Sequence, residues 1–292
     1  MTDSLVAVAF NLKTQLYLEF SALALLTFDY FLTFNAEITW TWDSSRNAVH
    51  VLFLLVRYVP FVLIPTYIYY VLGNVVGNCS SWSEGLSWMI IITILAAELL
   101  LLIRTWVLWG KKRIVLIGLI VLIVACAAES AVVSVFAVES TFSNIPLPPS
   151  LAGCFESYQP ATSVWTFFGL AVFELVILIL TISQLFHHDR KSRIYRMMRN
   201  DIVYVLCILG MSVIGTIIIK VGYYQDPALS LQVVIHSVLA SRLLFSLRAI
   251  MHQQHIMSAS VSVAQSSYDV EMLPMAFVEG PGASSGAINV AS

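Results

Sequence analysis

The chain has 292 residues, 59% of them hydrophobic and 11% charged, with a formal net charge of −2 and a mean hydropathy of +0.86. A water-soluble domain carries about 25% charged residues, so this composition excludes a globule coated by polar surface. With no basic excess, nucleic acid is excluded as a partner, and four cysteines are too few to frame a disulfide-rich domain.

About 20 apolar residues carry a helix across the hydrocarbon core, and seven segments qualify. In chain order they are Gln15–Trp40, Val49–Leu72, Leu86–Trp109, Ile114–Val138, Thr162–Phe186, Ile202–Tyr224 and Ala228–Ile250. The stretch Met1–Phe10 lacks the basic start of a cleaved signal peptide. The first span is therefore expected to act as its own insertion signal, after an extracytoplasmic segment over 1–14. In the second span Pro60 and Pro65 predict a kink. In the sixth, Gly210 and Gly215 predict close packing or a bend. The runs lack period-two alternation and exceed the ~10 residues of a barrel strand. Backbone immersed in lipid must satisfy its own polar groups, which means helices. The expected fold class is all-α, a polytopic transmembrane helix bundle of about seven spans over 15–250. The first and last runs are the least apolar, so six or eight spans stay open. From Met251 to Ser292 there is no Lys or Arg and no sustained period, which predicts a disordered cytoplasmic tail.

Basic residues orient a membrane protein because they are retained on the cytoplasmic side. One set of connectors holds Arg46, Lys111, Lys112, Arg113, Arg190, Lys191, Arg193, Arg196 and Arg199, while the other holds only Lys13. This asymmetry predicts an outside N-terminus and a cytoplasmic C-terminus, and it supports an odd number of spans. Arg190, Lys191, Arg193, Arg196 and Arg199 then form a cytoplasmic basic loop suited to a cytosolic signalling partner. Cys79 and Cys154 fall on the oxidising side, where disulfides persist. A bond between them would tie the long outer loop to the third span; two unpaired cysteines are the alternative. Asn78-Cys79-Ser80 also reads as a glycosylation sequon.

Ionisable residues inside spans are costly and usually face the bundle interior. Asp29 lies 11 residues before the inner end of its span, about 16 Å by helix rise, and Arg57 and Arg242 each lie 8 residues from theirs, about 12 Å. Shared depth and opposite sign predict an inner ion-pair cluster of Asp29, Arg57 and Arg242. Glu98 and Glu174 fall near the midplane, and Glu129, Lys220 and His236 in the outer half. These five are candidates to line a polar cavity for a small-molecule ligand. Lys220 is also close enough to a helix end to snorkel to the interface, and His236 fits an interhelical hydrogen-bond donor equally well. His50, His187, His188, His252 and His255 gather at the inner face. A zinc-dependent membrane hydrolase is one reading of them. Capping of helix C-termini explains most of them better, so neither a metal nor another cofactor is assigned.

Two stretches resemble a known family. Asp29-Tyr30-Phe31-Leu32-Thr33, then Glu37 and Trp40, then the apolar run ending Arg57-Tyr58-Val59-Pro60, resembles the N-terminal block of fungal membrane proteins grouped as domain of unknown function 6533. That block covers about 20–64 here. Ser241-Arg242 through Leu247-Arg248 is similar to the ending of the same proteins. The exit of the third span, Arg104 to Gly110, is similar too, with Trp106 and Trp109 in place of the more usual Tyr. The resemblance implies a multi-pass membrane protein and no activity, since the family has none assigned.

Three functions fit these features. A heptahelical sensor or receptor is favoured by span number, orientation and the basic inner loop. A transporter or channel would use the intramembrane charges as a pathway, although no internal repeat is visible. A structural scaffold would use them only to fix helix packing. A non-enzymatic protein of the plasma membrane or another secretory-pathway membrane is expected, since no phosphate loop, dinucleotide fingerprint, GxSxG or HExxH occurs.

Overall fold

Among the described residues, apolar runs that can satisfy their backbone only internally wind into seven helices: α1 (Thr2–Glu37), α2 (Ala48–Leu72), α3 (Cys79–Leu108), α4 (Arg113–Ala137), α5 (Ser163–His187), α6 (Arg193–Val221) and α7 (Leu229–Ala249). This computed structural model describes residues 2–39, 47–72, 79–137, 163–187, 193–221 and 229–249, and no strand occurs among them. Each helix contains a stretch long and apolar enough to cross a membrane.

Three helices start more than one residue earlier than the apolar runs predict. α1 begins at Thr2 rather than Gln15, α3 at Cys79 rather than Leu86, and α6 at Arg193 rather than Ile202. Hydropathy marks only the part of a helix that lies in lipid. Polar residues extend the coil freely until a breaker intervenes, and residues 2–14 hold neither Gly nor Pro. The segment 1–14 and the part of the basic loop from Arg193 onward are therefore helical from Thr2 and Arg193, respectively.

The reversal between α3 and α4 is a Schellman turn. Lys111 N–H donates to Trp106 O at 3.0 Å and Gly110 N–H to Val107 O at 3.0 Å, with Gly110 at φ 64° and Lys111 at φ 60°. Glycine carries the left-handed conformation without a Cβ penalty. The turn leaves Lys111, Lys112 and Arg113 exposed.

α3 and α7 form the middle of the bundle. Phe53 and Val56 of α2, Ala96, Ala97 and Leu100 of α3, and Ala240, Leu244 and Phe245 of α7 make one buried cluster. A second joins Ala22 and Leu26 of α1 to Ile64 of α2 and to Val234 and Val238 of α7. A third joins α3, α4, α5 and α6 around Leu102, Leu119, Phe173, Ile177 and Val205. α4 is the most peripheral helix. Large apolar side chains such as Phe31, Ile114 and Phe186 point outward, while Asp29, Glu37, Arg57, Glu98, Glu174 and His236 are buried. In water such exposed apolar area would aggregate; against lipid it is the expected outer face.

α2 continues through Pro60 and Pro65. Pro60 has no N–H for the carbonyl of Val56, four residues earlier. Ser237 of α7 supplies the missing donor, its Oγ lying 2.7 Å from Val56 O. Ser237→Ala is expected to cost about 1 kcal/mol, the usual scale of an interhelical hydrogen bond in lipid. Unfolding titrations in detergent should show that cost shrinking in a Pro60→Ala background, where the carbonyl regains its own helical N–H. Equal losses in both backgrounds would mean that Ser237 acts through something else. In α6, Gly215 sits where a Cβ would come within 2.8 Å of the Phe167 ring, so its lack of side chain permits the approach of α5; Gly210 faces open space.

Candidate functional site

The first polar centre is built on α1, where Asp29, Thr33 and Glu37 repeat at four-residue spacing and so share one helix face. Arg57 of α2 reaches into that stripe. Its Nη1 donates to Asp29 Oδ2 at 2.8 Å, Nε lies 3.4 Å from Glu37 Oε2, and Nη2 donates to Thr33 Oγ1 and, at 3.5 Å, to Tyr30 O. The guanidinium also lies 5.1 Å from the centre of the Tyr30 ring, a cation–π distance. Tyr58 donates to Glu37 Oε1. From α7, Arg242 Nε donates to Asp29 Oδ1 at 2.7 Å. Two cations therefore meet two anions, and the group is electrically neutral in a setting where net charge is expensive. The structure thus brings Asp29, Arg57 and Arg242 together and adds Glu37, Thr33 and Tyr58.

A second pair ties α3 to α6. Arg104 Nη2 contacts Asp201 Oδ2, and both side chains are buried. Asp201 belongs to α6 and not to a connector, because α6 starts at Arg193.

The third centre lies in the bundle core. His236 of α7 sits between two carboxylates, with Nδ1 3.2 Å from Glu98 Oε1 of α3 and Nε2 3.3 Å from Glu174 Oε1 of α5. Ser212 of α6 donates to Glu174 Oε1 at 2.8 Å, and Gln232 Nε2 of α7 donates to Ser212 Oγ at 3.1 Å. Four helices are thereby joined through buried polar groups. Depth counted along the sequence puts His236 three residues outward of the middle of its span, about 4.5 Å. Side-chain length absorbs that offset.

The other two cavity candidates stand apart. Glu129 is half-buried on α4 with Oε2 directed at Gly169 of α5, and the side chain of Lys220 is exposed. Nearer the start of α1, Glu19 accepts a 2.6 Å hydrogen bond from Ser230 of α7, and Gln15 donates to Tyr67 of α2. Cys154, Arg190 and Lys191 lie outside the described residues, as do the tail and the side chains of Cys79, Arg193 and Arg196; Arg199 is exposed.

Several partners escape a reading by composition. Thr33 and Glu37 were legible as the continuation of a polar stripe from Asp29. Ser212 and Gln232 were not, because single hydroxyls and amides are common in spans. Asp201 was hidden by its place at the boundary of an apolar run.

No curated protein and no solved structure matches the chain. A family match does exist, over residues 17–62, and that segment holds Asp29, Tyr30, Thr33, Glu37, Arg57 and Tyr58, every partner of the first ionic cluster named above except Arg242 of α7. The chain is accordingly an integral membrane protein with seven candidate spans, and its residues 17–62 match the family of unknown function DUF6533.

Proposed function

We propose that this protein is a non-enzymatic heptahelical sensor that relays a change in its bundle core to a cytosolic partner. The observation that carries this reading is the Arg104–Asp201 pair, which fastens α3 to α6 where α6 leaves its apolar stretch, Met198–Ile218, and runs back to Arg193. α3 also carries Glu98 of the core cluster, six residues before Arg104, so a movement of α3 has a rigid route to the basic start of α6. The segment from Arg193 to Arg199 carries three arginines and suits a partner with an acidic surface. The charge asymmetry of the connectors supports a cytoplasmic location for this end, with the N-terminus outside. It fits the plasma membrane or another membrane of the secretory pathway, and the family resemblance supports a fungal source.

A cleft of about 350 Å³ lined by Thr66, Trp82, Gly85, Leu86 and Met89 lies between α2 and α3. It falls within the size range of small-molecule sites, and its apolar walls suit a ligand that enters from the membrane. Proximity labelling from an enzyme fused to the C-terminus tests the reading. Changing Arg193, Arg196 and Arg199 together to Gln is expected to reduce recovery of a cytosolic partner about tenfold, the scale of one or two lost charge contacts. Recovery that ignored both this change and a panel of small apolar compounds would refute a sensor.

A further inference from the structure

Glu98, Glu174 and His236 come from three different helices, and each offers a ligand atom within 4.8 Å of the other two. Their relative exposures are 3%, 0% and 0%. With both carboxylates ionised and the imidazole neutral, the cluster carries two negative charges in the apolar core. The buried arginines are committed elsewhere, Arg57 to Asp29 and Glu37, and Arg104 to Asp201. Either two protons or one divalent cation must balance it.

The hydrogen bonding favours a cation. Although the His236 nitrogens stand 3.2 and 3.3 Å from carboxylate oxygens, neither contact has hydrogen-bond geometry. Both oxygens of Glu98, Oε2 of Glu174 and both ring nitrogens are thus buried with unused valence among the described residues. Buried polar atoms are rarely left so, and here one ligand atom from each of the three residues lies within 4.8 Å of the other two. Glu174 shows the arrangement of a held ligand. Ser212 occupies its Oε1, Gln232 holds Ser212, and Oε2 stays free. Such outer hydrogen bonds orient metal ligands. Donors around tetrahedral zinc stand about 3.3 Å apart, which small side-chain rotations reach from separations no greater than 4.8 Å.

We propose that Glu98, Glu174 and His236 form an intramembrane site for one divalent transition-metal cation that accepts mixed imidazole and carboxylate ligands, Zn²⁺ in the first place and Mn²⁺ in the second. Two carboxylates, a neutral imidazole and a divalent ion sum to zero charge. The three ligands leave a fourth position open to water. Binding clamps α3, α5 and α7 together and releases the protons that otherwise neutralise the carboxyls. The site goes beyond the sensor reading and does not depend on it.

The full chain, purified in detergent and stripped with a chelator, is titrated with Zn²⁺ and with Mn²⁺ and assayed for bound metal. About one ion per chain is expected, with Glu174→Gln and His236→Gln each weakening binding at least tenfold, and Ser212→Ala weakening it about tenfold through loss of orientation. Co²⁺ in place of Zn²⁺ should give the visible absorption of a tetrahedral site, lost in His236→Gln. Should the ligand variants fail to elute as folded protein, Ser212→Ala carries the test, because its hydroxyl is not itself a ligand. Changing His252 and His255 to Ala must leave the ion in place. Absence of tight binding, or binding that vanished only with His252 and His255, would overturn the site. Because the readout is bound metal and not partner recovery, its failure leaves the sensor reading standing, and the converse holds.

Discussion

Arg57→Leu is expected to cost about 3–5 kcal/mol, the scale of removing one partner from a buried ion pair, and to abolish most folded expression. The guanidinium is fully buried and faces two carboxylates, Asp29 and Glu37; its loss leaves Glu37 without a cation and Asp29 with Arg242 alone, so the buried cluster carries a net negative charge. Asp29→Asn should be milder. Arg57 then keeps Glu37, and the Arg242 side chain, 36% exposed, has a route to turn outward. The double variant Arg57→Leu with Asp29→Asn should partly recover, since the charges that remain, Glu37 and Arg242, again sum to zero. Detergent unfolding and the yield of monodisperse protein measure all three. The decisive quantity is the interaction energy of the double-mutant cycle. Additive losses would show that the two side chains do not act as a pair.

The Arg104–Asp201 pair should respond in the same way, with a smaller single cost. Arg104→Met leaves the Asp201 carboxylate alone, but Asp201 lies only three residues inside the apolar stretch that begins at Met198. Water penetrating at that end should limit the loss to about 3 kcal/mol, the lower end of the range. Replacing both, Arg104→Met with Asp201→Leu, should restore stability to within about 1 kcal/mol of the parent, because an apolar pair removes two desolvation penalties together with the attraction. Thermal unfolding in detergent reads this directly. A double variant as unstable as Arg104→Met alone would mean that the arginine stem, not the ion pair, holds α3 against α6. If the double variant is stable yet loses partner labelling, the pair serves signalling more than folding, as the proposed sensor requires.

Legibility differed sharply between the centres. Asp29, Arg57 and Arg242 were readable together because depth along a helix follows from residue count alone, and opposite charges at one level in lipid have little choice but to meet. Glu98 and Glu174 were readable as midplane residues, yet nothing in their spacing told which helix would face them. Lys220 and Glu129 shared the expected level with His236. The structure turns Lys220 outward and sets Glu129 against Gly169. The Pro60–Ser237 contact belongs to the same class: the sequence shows a carbonyl left without its donor, and only packing shows which helix answers it.

By itself the sequence determined that the chain is a helical membrane protein, because hydropathy and backbone hydrogen bonding act along one dimension and lipid admits no other solution for such long apolar runs. The tertiary structure decided the rotation of each helix about its axis and the order of helices around the bundle. Helices that are apolar on every side carry almost no azimuthal signal. In lipid the choice of facing side therefore falls to packing and to the few polar groups that must find one another, as Glu98, Glu174 and His236 do in the core.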